Sequence, residues 1–135
     1  MENVEKLIKD LFDETKKNDA EMGLRKIGGS ALADLIRALK ENSYPDAVRK
    51  HVAFIIYKMK EEAYPAINDF AEIGTDSKVP VEVRRMVLYY LGQMGIAAVS
   101  VVPILKAAYD SDSDNTIKTS LKMALKSMGA GLFLE

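Results

Sequence analysis

The chain repeats itself, and the period of the repeat limits what it can fold into. Val48-Arg49-Lys50-His51-Val52-Ala53-Phe54-Ile55-Ile56-Tyr57-Lys58-Met59 is followed 35 residues later by Val83-Arg84-Arg85-Met86-Val87-Leu88-Tyr89-Tyr90-Leu91-Gly92-Gln93-Met94. A further 34 residues lead to Ile117-Lys118-Thr119-Ser120-Leu121-Lys122-Met123-Ala124-Leu125-Lys126-Ser127-Met128. The three align without a gap as aliphatic, basic, two variable places and aliphatic, with an aliphatic residue again ninth and Met twelfth. A period in the mid-thirties with helical patterning marks stacked helix pairs. One pair cannot bury its apolar face alone, so pairs stack, and the stacked surface commonly binds something.

Each aligned segment reads as the second helix of a pair. Val48, Val52, Ile55, Ile56 and Met59 share one helical face, as do Val83, Val87, Tyr90, Leu91 and Met94, and then Ile117, Leu121, Ala124, Leu125 and Met128. Pro45 and Pro80 suit a first helical turn, and Asp114 or Asn115 can cap the third helix. Gly95 and Gly129 follow the last apolar residue of their helices, as a left-handed cap requires. A first helix precedes each of these. Ser30 is placed to cap one carrying Leu32, Leu35, Ile36 and Leu39. The next runs from about Glu62 to Ile73 with Tyr64, Ile67, Phe70 and Ala71 inward, and the last from about Ala97 to Tyr109 with Val102, Leu105 and Ala108 inward. Pro65 and Pro103 should bend or start these helices. Before residue 28 lies a shorter, atypical pair with stripes Val4, Leu7, Ile8, Leu11 and Ala20, Leu24, Ile27, and with Asn18 and Glu21 spaced like a capping box.

Residues 27 to 129 resemble the HEAT-repeat family and its armadillo and bacterial HEAT-like relatives. The resemblance rests on Val48-Arg49, Val83-Arg84 and Ile117-Lys118, on the proline positions, and on Ile27-Gly28, Met94-Gly95 and Met128-Gly129. It implies an all-α, right-handed α-solenoid of about four antiparallel pairs: a degenerate repeat at about 3–27, repeats at about 28–60, 61–95 and 96–129, and a tail at 130–135 in a single domain. It also implies an acid shortly before each Val-Arg pair, bridging to the neighbouring repeat. Asp46 fits that place, Glu82 is displaced by one residue, and Asn115 is uncharged.

Composition narrows the chemistry. No cysteine is present, so disulfides and thiolate metal sites are excluded, and a reducing, cytoplasmic setting is expected. The acids from Glu2 onward leave no apolar leader, so no signal peptide is expected. The apolar stretch Ile96 to Leu105 is too short and too interrupted to span a bilayer, so no membrane is expected among the partners. The closing Leu134-Glu135 reads as a tag remnant. Asp110, Asp112 and Asp114 alternate like calcium ligands, but Asn115 and Leu121 stand where an EF-hand needs Gly and Glu. They read instead as a solvated turn whose last acids favour the next helix N-terminus. Lys26-Ile27-Gly28-Gly29-Ser30 places glycines before a helix start, where an anion could sit, but without P-loop spacing. His51 is the single histidine, and no His-Glu pair marks the metal-dependent hydroxylase branch of the HEAT-like proteins. The branch that removes alkylated bases is disfavoured by the absence of Trp and of an evident catalytic Asp. No cofactor and no catalysis are expected.

One signal remains. The segments around the three second helices hold nine bases against Asp46 and Glu82, a net of +7 in a chain of net −1. The resemblance places second helices on the concave side of the solenoid. Opposite the buried stripe the helical wheel puts Lys50, Ala53, Phe54 and Tyr57, then Arg85, Leu88 and Tyr89, then Lys122, Met123 and Lys126. Phe54, Tyr89 and Met123 fall in one column. Arg49 and Arg84 are expected to serve the ladder between repeats. The expected function is a non-catalytic scaffold or adaptor that binds an acidic protein or peptide there through Lys50, Phe54, Tyr57, Arg85, Tyr89, Lys122, Met123 and Lys126. Nucleic acid is the alternative ligand, and an enzyme of unknown type stands third. A protein is preferred because nucleic-acid binders usually carry a domain-wide basic excess.

Overall fold

The 35- and 34-residue repeat emerges as recurring helix pairs. The computed structural model describes residues 3–130, so the tail beyond Ala130, with Leu134 and Glu135, lies outside the described residues. Among them the chain is all-α, with no strand. Two compact units are present, one up to Ala66 and one from Ile67 onward.

The first unit contains α1 (Val4–Asp10), α2 (Lys17–Ile27), α3 (Leu32–Lys40) and α4 (Asp46–Lys58). Its pairs α1/α2 and α3/α4 pack internally, and α2 also touches α4. Short 3-10 segments run over Gly28–Ala31 and Lys60–Ala66. The second unit contains α5 (Ile67–Thr75), α6 (Val81–Met94), α7 (Val102–Ser111) and α8 (Asn115–Ser127), with a 3-10 segment over Gly95–Val101. Here α5 packs on α6, α7 on α8, and α6 on α8.

The three aligned segments are α4, α6 and α8, and their register is as expected. Val52, Val87 and Leu121 occupy the same place and are each 0% exposed. Asp114 caps α8, its side chain accepting the Ile117 N–H at 3.0 Å. Pro103 sits in the first turn of α7, and Pro65 lies in the 3-10 segment just ahead of α5, so both prolines start helices. At the C-terminal end of the second helices the chain turns left-handed at Gly95 (φ 59°) and Gly129 (φ 85°). The same place after α4 is held by Lys60 (φ 57°), a residue with a Cβ.

Several local expectations fail for physical reasons. Ser30 does not cap α3, because the 3-10 segment Gly28–Ala31 intervenes and α3 begins only at Leu32. Asn18 and Glu21 form no capping box, because α2 already begins at Lys17 and Glu21 is engaged by His51. Tyr64 points outward rather than inward, since three residues per turn in the 3-10 lead-in shift it off the buried stripe. Ala53 and Leu88 are fully buried, not on an open face. Leu88 packs where a Cβ on Gly74 of α5 would lie 2.7 Å from its Cδ2. The 31-residue stretch Val81–Ser111 is long and apolar enough to cross a membrane by length and composition alone. It is divided between α6, the turn at Gly95 and α7, and Val83, Val87, Leu91, Val101 and Leu105 within it are core residues.

Candidate functional site

On α6, residues four apart share a face, so Arg85, Tyr89 and Gln93 form one stripe. On α8, spacings of three and four residues group Ser120 with Met123 and Ala124. The helices approach closely at Gly92, where a Cβ would stand 3.1 Å from the Cα of Ala124. These two stripes, with Glu82 and Met86, line an open groove of about 370 Å³. Tyr89 is 54% exposed and Met123 60% exposed, so the groove shows apolar surface to solvent. Tyr89 is steadied edge-on by the buried Tyr90, with ring centroids 5.6 Å apart.

The charges around the groove are uneven. Arg85 is neutralised by Glu82, Nη1 to Oε1 at 2.9 Å. Lys126 lies one turn from Met123 on α8 and is exposed, and Lys122 beside Met123 is half-buried. Neither lysine pairs with a carboxylate among the described residues. Neither lysine lines the groove, whose charged lining residues are the paired Glu82 and Arg85.

Of the eight residues singled out in the sequence, Arg85, Tyr89 and Met123 line this groove, and Lys122 and Lys126 lie on the helix that forms one wall. Lys50, Phe54 and Tyr57 belong to α4 in the first unit and are half-buried. Lys58 Nζ lies 5.5 Å from the Phe54 ring centroid, and Lys60 Nζ 5.7 Å from that of Tyr57. Both rings are therefore partly covered by the chain's own cations. Met86, Gln93 and Ser120 were not singled out in the sequence, and Ala124 was placed on the buried stripe, where it also lies. Extending the Arg85–Tyr89 spacing by four more residues would have found Gln93.

The two buried arginines serve structure. Arg49 Nε donates to the Leu39 carbonyl at 2.8 Å, and Arg84 Nε to the Gly74 carbonyl at 3.0 Å. Arg84 Nη2 also donates to Asp112 Oδ2 at 2.7 Å, in the turn before α8. A bridge from one helix pair to the next is thus present, but with Asp112 rather than with an acid immediately before a Val-Arg pair. Asp112 further accepts the Asp114 N–H at 2.8 Å. That bond, then the Arg84 guanidinium and the nearby Lys118, hold its carboxyl below the ordinary range against the opposing effect of burial. Asp112 and Asp114 are thereby committed to Arg84 and to the α8 cap. No group of three or more His, Asp or Glu side chains able to hold a metal gathers among the described residues.

His51 Nε2 and Glu21 Oε1 are 2.6 Å apart, tying α4 to α2, with both side chains 19% exposed. The other Glu21 oxygen accepts from Arg25 Nη1 at 3.3 Å. The glycine turn has its own internal anion: Gly29 N–H donates to Glu62 Oε2 at 2.9 Å. A Cβ on Gly28 or Gly29 would come within 3.0 or 2.9 Å of that carboxylate, so the turn is shaped around it. Comparison with known proteins yields no match to this chain among family models, curated proteins or solved structures.

Proposed function

We propose that this protein is a non-catalytic binding module whose basic helical faces take an acidic protein or peptide. The observation that carries the reading is the α6/α8 groove, with Tyr89 and Met123 open to solvent on helices that also carry Arg85, Lys122 and Lys126. Aromatic side chains are enriched among binding anchors, and flanking charge selects the sign of the partner and speeds encounter. The reading takes the helix pairs as HEAT-like repeats of a right-handed solenoid. Its support is the recurrence in each unit of the same Arg-to-carbonyl bond and of the left-handed turn that closes a second helix.

The test is selection from a displayed random-peptide library, with an Arg85→Glu/Lys122→Glu variant in parallel. Both side chains lie off the core, so the variant should fold. The wild-type protein should enrich acidic sequences, and the variant should lose that bias. A mixed-sequence oligonucleotide retained at low salt and released steeply as salt rises would point to nucleic acid instead. Enrichment that ignores both peptide charge and the double reversal would reduce the basic face to a solvated surface.

A further inference from the structure

Resting on that reading, we propose that the acidic partner docks as a helix along α8, across Lys118, Lys122 and Lys126. Residues four apart share a helix face, so these lysines form one stripe, spaced about 6 Å along the axis. The 34-residue repeat equates them with Arg84, Leu88 and Gly92 of α6, all three buried. On α6 that face is covered by the next helix pair. Arg84 reaches Asp112 at 2.7 Å, and a Cβ on Gly92 would stand 3.1 Å from the Cα of Ala124 on α8. On α8 the same face meets solvent, with Lys118 and Lys122 half-buried and Lys126 exposed. The face that takes a helix on α6 is thus repeated on α8 in basic form.

The stripe carries charge of one sign. From Asn115 to Ser127, α8 holds no Asp or Glu. Exposed cations on other helices have an acid one turn away: Arg25 pairs with Glu21, Arg37 with Asp34 and Arg85 with Glu82. Lysines four residues apart without such an acid repel one another, and an acidic partner turns that repulsion into attraction. Lys118 is partly engaged, its Nζ 5.0 Å from the Tyr109 ring centroid and its charge felt by Asp112. Glu or Asp at every fourth place of a facing helix repeats at the same spacing of about 6 Å, so three carboxylates meet three lysines. Asp110, Asp112 and Asp114 stand at the N-terminal end of the stripe. A long polyanion running past Lys118 would meet them as like charges, whereas a short acidic helix need not. Nucleic acid, whose affinity comes from neutralising many phosphates, fits three lysines less well.

Four fluorescent probes test this on the full chain by anisotropy at low salt: a four-repeat Glu-Ala-Ala-Ala peptide, the same peptide with a central Pro, a four-repeat Lys-Ala-Ala-Ala peptide, and a short mixed-sequence single-stranded DNA. The uninterrupted acidic peptide should bind at least about tenfold more tightly than its proline form, which cannot stay helical. Lys122→Glu/Lys126→Glu should weaken it by about tenfold or more and gain binding to the lysine peptide, which the parent should not hold. Lys78→Glu, exposed in the turn before α6, alters net charge away from α8 and should change affinity less than about twofold. Circular dichroism should show each variant as helical as the parent. Equal affinity for the two acidic peptides, or binding that survives the double reversal, overturns the α8 site. The broader reading still stands in that event if the peptide library enriches acidic sequences. If no acidic sequence binds in either assay, both fall. DNA held more tightly than the acidic helix, and released by the double reversal, makes nucleic acid the occupant and overturns the inference.

Discussion

Arg49 and Arg84 make the same bond at places 35 residues apart, each donating Nε to the backbone carbonyl ten residues upstream, at 2.8 and 3.0 Å. Those carbonyls, of Leu39 and Gly74, lie in the last turns of α3 and α5. Helix ends leave carbonyls without intrahelical partners and carry partial negative charge, so a guanidinium there serves both needs. The arginines differ in their second bond. Arg84 Nη2 reaches Asp112, whereas Arg49 Nη2 is buried without a hydrogen-bond partner among the described residues.

That difference predicts unequal costs. Arg84→Met should destabilise by roughly 3 kcal/mol, because it strands the largely buried Asp112 carboxylate and the Gly74 carbonyl. Arg49→Met should cost about 1–2 kcal/mol, since it strands only the Leu39 carbonyl and removes an unpartnered donor. Arg84→Lys should recover less than half the loss, because an ammonium cannot reproduce the two-pronged geometry. Urea denaturation measures all three, and equal costs for the two Met variants would falsify this account.

The Asp112–Arg84 pair sets a pH dependence. Its carboxyl titrates below the ordinary value in the folded state, through the Asp114 N–H first and then Arg84. A depressed folded pKa gives stability that is present above the unfolded value, about 3.9, and is lost as pH falls through the folded one. Asp112→Asn should therefore cost about 2–3 kcal/mol at pH 7, and the gap to the parent should narrow below about pH 4. A gap that stays constant from pH 7 to pH 3 would show that the charge of Asp112 is not what Arg84 uses.

Lys60 holds the left-handed place that glycine holds after α6 and α8. A side chain there costs roughly 1–2 kcal/mol of backbone strain, against which glycine loses more entropy on folding. Lys60→Gly should thus raise stability by about 0.5–1 kcal/mol, net of a weak Lys60–Tyr57 contact. Gly95→Ala should lower it by about 1 kcal/mol through strain alone, since nothing lies within 4 Å of the new Cβ. Differential scanning calorimetry should find melting shifts of opposite sign.

The second helices were legible because their period, their buried stripe and their closing residues agree. Val52, Val87 and Leu121 could be equated from spacing alone, and all three are fully buried. The first helices were legible only in part. Their 3-10 lead-ins change the turn from 3.6 to 3.0 residues, and Ser30 and Tyr64 fell on the wrong side of that change. The open face was over-read for a different reason. Leu88 is packed against α5 although the wheel sets it opposite the main stripe, because a helix covered on two sides loses its amphipathic contrast. The α6/α8 groove was half visible: Arg85, Tyr89 and Met123 follow from the wheel, while the closeness of the two helices depends on Gly92 meeting Ala124.

Gly92 therefore makes the sharpest prediction about the groove. In a helix interior, Gly→Ala ordinarily stabilises by about 1 kcal/mol. Here the new Cβ would lie 3.1 Å from the Ala124 Cα and 3.6 Å from its Cβ. Backbone cannot rotate away as the end of a long side chain can, so α8 must shift outward. Overpacking of this kind costs about 1–3 kcal/mol, which exceeds the propensity gain. Gly92→Ala should be destabilising by roughly 1 kcal/mol net, while Gly92→Ser should be no better. Because Ala124, Met123 and Ser120 ride on the same helix, the shift should also widen the groove. Chemical denaturation reads the loss of stability. A variant more stable than the parent would mean that α6 and α8 do not approach as closely as the Gly92–Ala124 contact requires.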